Sequence, residues 1–234
     1  MQLKPIGYVR SGVTDRKEMT AWGVPALVEV LPEFESALYR IEKHSHLWVL
    51  AWLDGERDKL QVKPRGLKDG GPEALHGVFS VRSPARPNPV AMTVARVESR
   101  DNLTLRFGRL DFIDGTPVVD LKPYFPSRDL IFSAQNEKIG KAIDVREGLL
   151  IQAVNFHGAL TSDVELAVDI VAAYLAHSPY PDSWQVTAPR QRPQITDALM
   201  GITRVSLGRG TLKLHDAETV MLNGREFPLP SATT

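Results

Sequence analysis

The chain has 234 residues, 28 lysines plus arginines against 28 acidic residues, and no cysteine. The missing cysteines exclude disulfides and thiolate metal ligands and leave six histidines as nitrogen ligands. The formal charge of zero gives no overall basic footprint, and no apolar run reaches transmembrane length.

The length predicts one or two domains with a sizeable core. Residues 4–11, rich in Ile, Tyr and Val, read as a first strand, and 12–23 as a polar, turn-like stretch. Residues 24–31 read as a second strand, with Pro25 near its start, where proline is tolerated. Pro32 and Glu33 suit a first helical turn, and Phe34, Leu38 and Ile41 share one face, so a short helix is expected to about Lys43. Residues 46–53, continuously apolar and aromatic, read as a buried strand. Residues 54–71 read as a long charged loop. A strand at 76–81, a hairpin of 90–98 and 103–110, and a strand at 117–121 complete the set. Short strands divided by turns predict a barrel or sandwich, here with one short helix inserted.

From about residue 131 the pattern turns helical, over 136–153 and more clearly over 162–177, where Ser162 or Asp163 can cap. A helix at 195–202, strands at 211–214 and 220–222, and a tight turn at Asn223-Gly224 follow, then a tail over 231–234. No glycine-rich loop joins a strand to a helix, so a doubly wound nucleotide fold is not supported. The predicted organisation is a mainly β barrel over 1–130, a linker and helix start over 131–142, and a smaller α+β domain over 143–234. Residues 63–128 hold 11 basic and 7 acidic residues, and 140–234 hold 8 and 10. Any contact with RNA is therefore expected on the first part. The N-terminus lacks the apolar centre of a signal peptide, so a cytoplasmic location is the expectation.

Two stretches carry more than a core needs. In the first, Arg82, Ser83, Arg86 and Asn88 sit among Pro84, Pro87 and Pro89, a stiff loop bearing two guanidinium forks. Arg82 could pair a carboxylate in bidentate fashion, and Arg86 could reach a substrate phosphate. The bland alternative is that both arginines pair with nearby aspartates and only fix the loop. In the second stretch Asp111, Phe112, Ile113, Asp114, Gly115 and Thr116 form a turn whose glycine permits close approach. Asp120, Lys122 and Tyr124 follow at period two on one strand face, as substrate contacts or as a solvated face. His44 and His46 have the spacing of a metal pair, but no third ligand follows, and no metal is expected.

These stretches occur in order with Ile6-Gly-Tyr-Val-Arg-Ser11 and Glu42-Lys-His-Ser-His-Leu-Trp-Val49. Together the four motifs resemble the YaeB-like (TrmO) family of S-adenosylmethionine-dependent tRNA methyltransferases, over about residues 5–126. The resemblance implies a non-Rossmann β-barrel methyltransferase using S-adenosyl-L-methionine. It lines the cofactor with the Asp-Gly-Thr-Pro region that starts at Asp114; Arg82, Ser83, Asn88 and Asp111–Thr116 are the candidate cofactor contacts, and Arg86, Lys122 and Tyr124 the candidate substrate contacts. The resemblance further implies N6-methylation of threonylcarbamoyl-adenosine beside the tRNA anticodon, and a homodimer with the cofactor site near its interface. His46, Asp114 and Asp120 are candidate proton acceptors. Family members carry a Pro-Arg-Gln run after the first strand, and residues 15–22 here do not match it. That departure and the zero net charge keep a small metabolite open as an alternative substrate. A non-catalytic RNA- or ligand-binding module is a further alternative.

The second part resembles an FmdE-like domain more faintly, through Phe156-His-Gly-Ala-Leu160 and residues 196–212. Ala159, Thr161 and Ile202 stand where that family has metal ligands, so the resemblance implies a domain without its metal site.

Overall fold

The computed structural model describes residues 3–54, 58–64, 71–134 and 145–230. The expected linker over 131–142 and the first part of the expected helix from residue 136 lie largely outside these residues. So do the tail over 231–234 and part of the loop over 54–71.

The chain divides into two compact units, the first running to Ile131. In the first unit the strands are β1 (Gly7–Arg10), β2 (Val24–Val30), β3 (His46–Trp52), β4 (Gln61–Val62), β5 (His76–Gly77), β6 (Val90–Asp101), β7 (Thr104–Leu110) and β8 (Pro117–Pro123). Six of them close into a barrel in the order β1-β2-β7-β6-β3-β8, each antiparallel to its neighbours. The two-residue strands β4 and β5 pair separately. Closure leaves no barrel edge to template aggregation.

Alternation decides what fills the barrel. On β3, Leu47, Val49 and Ala51 are fully buried, while His46, Trp48, Leu50 and Trp52 are half-exposed on the outer wall. The expectation of a strand buried on both sides is therefore corrected: its outer face is aromatic and apolar, which hides the period of two. Val9, Val28, Leu105, Phe107, Leu110 and Val118 join the interior from the other strands, all at 0% exposure. Each such side chain contributes about 1.5–3 kcal/mol of burial.

The helix expected from Pro32 is instead two stretches of 3-10 helix, Pro32–Leu38 and Ile41–Lys43. Arg40 between them is left-handed, at φ 67°, which breaks the helical path. The strand expected over 76–81 stops at Gly77, and strand β8 runs two residues further than expected, to Pro123. A short helix α1 (Pro126–Asp129) follows it.

The second unit holds α2 (Val145–His157), α3 (Ser162–Ala176), α4 (Pro193–Thr203) and strands β9 (Val186–Pro189), β10 (Leu212–His215), β11 (Thr219–Leu222) and β12 (Arg225–Pro228). The sheet order is β10-β9-β11-β12, parallel between β9 and β10 and antiparallel elsewhere. Helix α3 is capped one residue earlier than expected, by Thr161, whose Oγ1 accepts from the Val164 amide at 3.3 Å. The three helices and the sheet share one core that includes Leu149, Val168, Trp184, Ile195 and Leu212. This is an α+β unit. Among the described residues no helix is long and apolar enough to cross a membrane.

Candidate functional site

Antiparallel pairing brings the end of β1, the start of β2, the end of β3, the start of β6, the end of β7 and the start of β8 to one mouth of the barrel. Both chemically loaded stretches leave from this mouth. The proline-rich loop enters β6 through Pro89, whose carbonyl accepts the Leu53 amide at 2.8 Å. The loop of Asp111–Thr116 joins β7 to β8. Thr93 on β6 donates to the Asp111 carboxylate at 2.5 Å, tying the second stretch to the strand that carries the first.

Arg86 is consumed by its own loop. Its Nε donates to the Ser83 carbonyl at 2.7 Å, and its Nη2 donates to the carbonyls of Val78, at 2.6 Å, and Val81. A half-buried guanidinium used in this way organises a turn that proline cannot hydrogen-bond for itself. Ser83 adds its hydroxyl, accepting the Ala85 amide at 3.2 Å. Arg82 and Asn88, in contrast, are exposed, and Arg82 has no hydrogen bond or ion pair among the described residues. The loop thus presents one unpaired fork on a stiff support, a fit for a carboxylate ligand.

In the second loop Phe112 is 2% exposed and belongs to the barrel core. Asp114 accepts the amides of Ser11 at 3.0 Å and Gly12 at 3.4 Å, with Arg10 3.9 Å from its other oxygen. The amides of Asp114, Gly115 and Thr116 donate to Val13, Val9 and Ile113. Those three amides are spent in folding, and the Asp111 and Asp114 carboxylates put negative charge on this loop, a fit for a cationic group. A Cβ at Gly115 would meet nothing within 4 Å; the glycine is required by its φ of 76°. Gly23 is more constrained, at φ 79° with a Cβ placed 2.5 Å from the Leu110 carbonyl carbon. It lets the loop before β2 return against β7 beneath Asp111.

The remaining predicted residues stand elsewhere. Asp120 pairs with Lys122 at 2.7 Å on the outer wall, an exposed pair of small energetic weight. Tyr124 packs its ring against His46 at 6.4 Å and Trp48 at 6.0 Å, near the other mouth. His46 Nδ1 lies 2.9 Å from the Ser45 hydroxyl. Burial, and then the positive charge of Arg96 opposite it, lower the His46 pKa below its ordinary 6.5. His46 begins β3, and Ala51 on that strand pairs Val118, which Thr116 and Asp114 precede. Five residues of strand, about 17 Å, therefore separate His46 from the level of the Asp111–Thr116 loop. One barrel does not bring His46 and Asp114 to a common reacting atom.

The anchors Ser11, Thr93 and Arg10 were not found from sequence. Only pairing across the barrel selects them, and a serine 103 residues from its partner leaves no local signal. In the second unit His157 Nδ1 is 3.1 Å from Asp197 Oδ2. Among the described residues no group of three or more potential ligands is placed to hold a metal ion.

A family model described as "tRNA-methyltransferase O N-terminal domain" matches residues 10–130, nearly the whole barrel unit. A "Probable S-adenosyl-L-methionine-binding protein" of Archaeoglobus fulgidus is 38% identical over 178 residues, covering 72% of this chain and 46% of that protein. The chain thus matches less than half the length of that relative. A second Archaeoglobus fulgidus protein, "S-adenosyl-L-methionine-binding protein", is 34% identical over 143 residues, covering 59% of this chain and 99% of the relative. The "tRNA (adenine(37)-N6)-methyltransferase" of Escherichia coli is 39% identical over 97 residues, covering 38% of this chain and 40% of the relative.

Proposed function

The chain belongs to the tRNA-methyltransferase O N-terminal domain family, and from that premise we propose that it is a cytoplasmic S-adenosyl-L-methionine-dependent methyltransferase acting on tRNA. The target is N6 of an adenosine beside the anticodon, in its threonylcarbamoyl form. The observation that carries this reading is the coincidence of the family match with the barrel and both loops at its mouth. The names of the relatives support the cofactor and the tRNA substrate.

The cofactor supplies an electrophilic methyl group on a sulfonium. Arg82 would receive its carboxylate, the loop of Asp111–Thr116 would hold its cationic part, and Ser83 and Asn88 would complete the proline-rich side. The acceptor N6 nitrogen would take the methyl group in exchange for its own proton, which would pass to solvent. Alignment and exclusion of water are the chain's main contributions, on the order of 7–11 kcal/mol in well-oriented cases. No side chain near Arg82 need act as a base: Asp114 is engaged by two amides, and Asp120 by Lys122. Lys122 and Tyr124 contact the substrate, whereas Arg86 serves the loop and offers at most its Nη1.

The assembly is a homodimer with the cofactor site near its interface. Its support is the separation of His46 and Tyr124 from the Asp111–Thr116 loop, which a second barrel can bridge. Symmetric pairs are also the commonest soluble assembly. Mass spectrometry of tRNA nucleosides from a strain lacking the gene tests the substrate: the methylated adenosine should disappear. Its retention in full, with no second enzyme present, would refute the tRNA reading and favour a small metabolite.

A further inference from the structure

The second mouth of the barrel lies at the opposite end of β3 from the Asp111–Thr116 loop. It holds a cavity of about 180 Å³. The floor is apolar: Leu47, fully buried, with Leu121 and Pro123 from β8. Tyr39, Arg40 and His44, from the 3-10 segments and the turn into β3, form the rim. Mouths of β-barrels are habitual ligand sites, and this volume, below the roughly 300–1,000 Å³ that encloses drug-sized molecules, suits one ring system.

We propose that this mouth binds one unpaired nucleotide, with the base over the Leu47–Pro123 floor beside Tyr39 and the phosphate on Arg40. Tyr39 is 75% exposed, so its ring does nothing for the core. The Arg40 guanidinium lies 5.1 Å from the centre of that ring and makes no hydrogen bond or ion pair among the described residues. Among the described residues no acidic side chain lines the cavity, and Glu42 beside it is paired with Arg100 at 3.5 Å. The anionic part of a ligand is therefore favoured at Arg40. Arg40 also holds φ 67°, a conformation that is costly for a residue with a Cβ.

A second ring and cation adjoin the rim at His44. His44 meets Phe125 edge-on at 5.9 Å, and Phe125, 42% exposed, has the Arg128 guanidinium 5.8 Å from its centre. Exposed aromatics each accompanied by a guanidinium make a stacking platform for single-stranded nucleic acid. An acidic peptide would satisfy Arg40 and leave the ring-sized floor unused. This site deepens the tRNA reading, and rests on it for RNA as the source of the nucleotide.

The test uses the full chain without cofactor. Anisotropy with a labelled single-stranded hexa-adenylate, and calorimetry with adenosine monophosphate and adenosine, should show saturable binding. Tyr39→Leu should weaken hexa-adenylate binding by roughly five- to hundredfold, the range for lost stacking. Arg40→Asn, which tolerates a left-handed backbone, should weaken the monophosphate and leave adenosine unchanged. Hexa-adenylate binding that falls steeply with salt identifies an RNA strand as the source. Monophosphate binding as tight as the hexamer's identifies a free nucleotide. The proposal is overturned if none of the three probes binds, or if both variants bind the hexamer as the parent does. It is also overturned if the variants change the oligomeric state alone, which would make a second copy the occupant. Calorimetry of S-adenosylmethionine on the same variants should be unchanged, so loss of this site and loss of the cofactor reading are told apart.

Discussion

The Asp114 carboxylate accepts the Ser11 amide at 3.0 Å, joining the loop before β8 to the end of β1 across 103 residues. The same oxygen lies 3.4 Å from the Gly12 amide. A sequence reading makes Asp114 a proton acceptor; the structure shows a carboxylate already engaged as a staple. Asp114→Ala should therefore lower stability by about 1.5–3 kcal/mol, the range for hydrogen bonds to a charged group. Urea unfolding checks this. An unchanged midpoint would mean that the staple contributes nothing.

Arg82 should behave in the opposite way. It is exposed and makes no hydrogen bond or ion pair among the described residues, so Arg82→Ala should leave the unfolding midpoint within about 0.5 kcal/mol. It should weaken S-adenosylmethionine binding by about 1.5–3 kcal/mol, tenfold or more. Calorimetry without added metal measures it, and unchanged affinity would remove Arg82 from the site.

His46 gives a pH dependence. Its folded-state pKa lies below the unfolded 6.5, so the unfolded chain binds the proton more readily. The stabilising contribution is present above pH 6.5 and is lost as pH falls through 6.5 toward the folded value. His46→Gln should flatten this acid limb of the melting temperature. In an NMR titration Arg96→Ala should raise the His46 pKa only part of the way, because burial is the larger cause. A full return to the ordinary value would make Arg96 the dominant cause.

The dimer is tested by truncation after Ser133. The barrel has its own core, so the fragment should fold. It should sediment as a dimer and bind the cofactor. A monomer binding at full affinity would refute a cofactor site near the interface.

The barrel strands were legible because Val, Ile, Leu and Phe recur between turn signals. The inner and outer faces of β3 were not, because Trp48, Leu50 and Trp52 make its outer wall as apolar as Leu47 and Val49 make its interior. The break at Arg40 was equally hidden, since nothing in Tyr39-Arg40-Ile41 announces a left-handed residue. Both candidate loops were marked by their proline, glycine and charge pattern. The sequence did not reveal that Arg86 and Arg82 divide the labour, one holding the loop and one left unpaired. That division depends on three carbonyls brought together only by folding. Nor did it reveal that His46 stands far along β3 from Asp114, which depends on barrel register.

Transfer of a labelled methyl group to tRNA is the decisive measurement. Purified protein is incubated with trideuteromethyl S-adenosylmethionine and tRNA from a strain lacking the gene, and the nucleosides are weighed. A threonylcarbamoyl-adenosine heavier by one trideuteromethyl group should form, and Arg82→Ala should lose that product. Tight cofactor binding with no label in any tRNA nucleoside would contradict the tRNA methyltransferase reading.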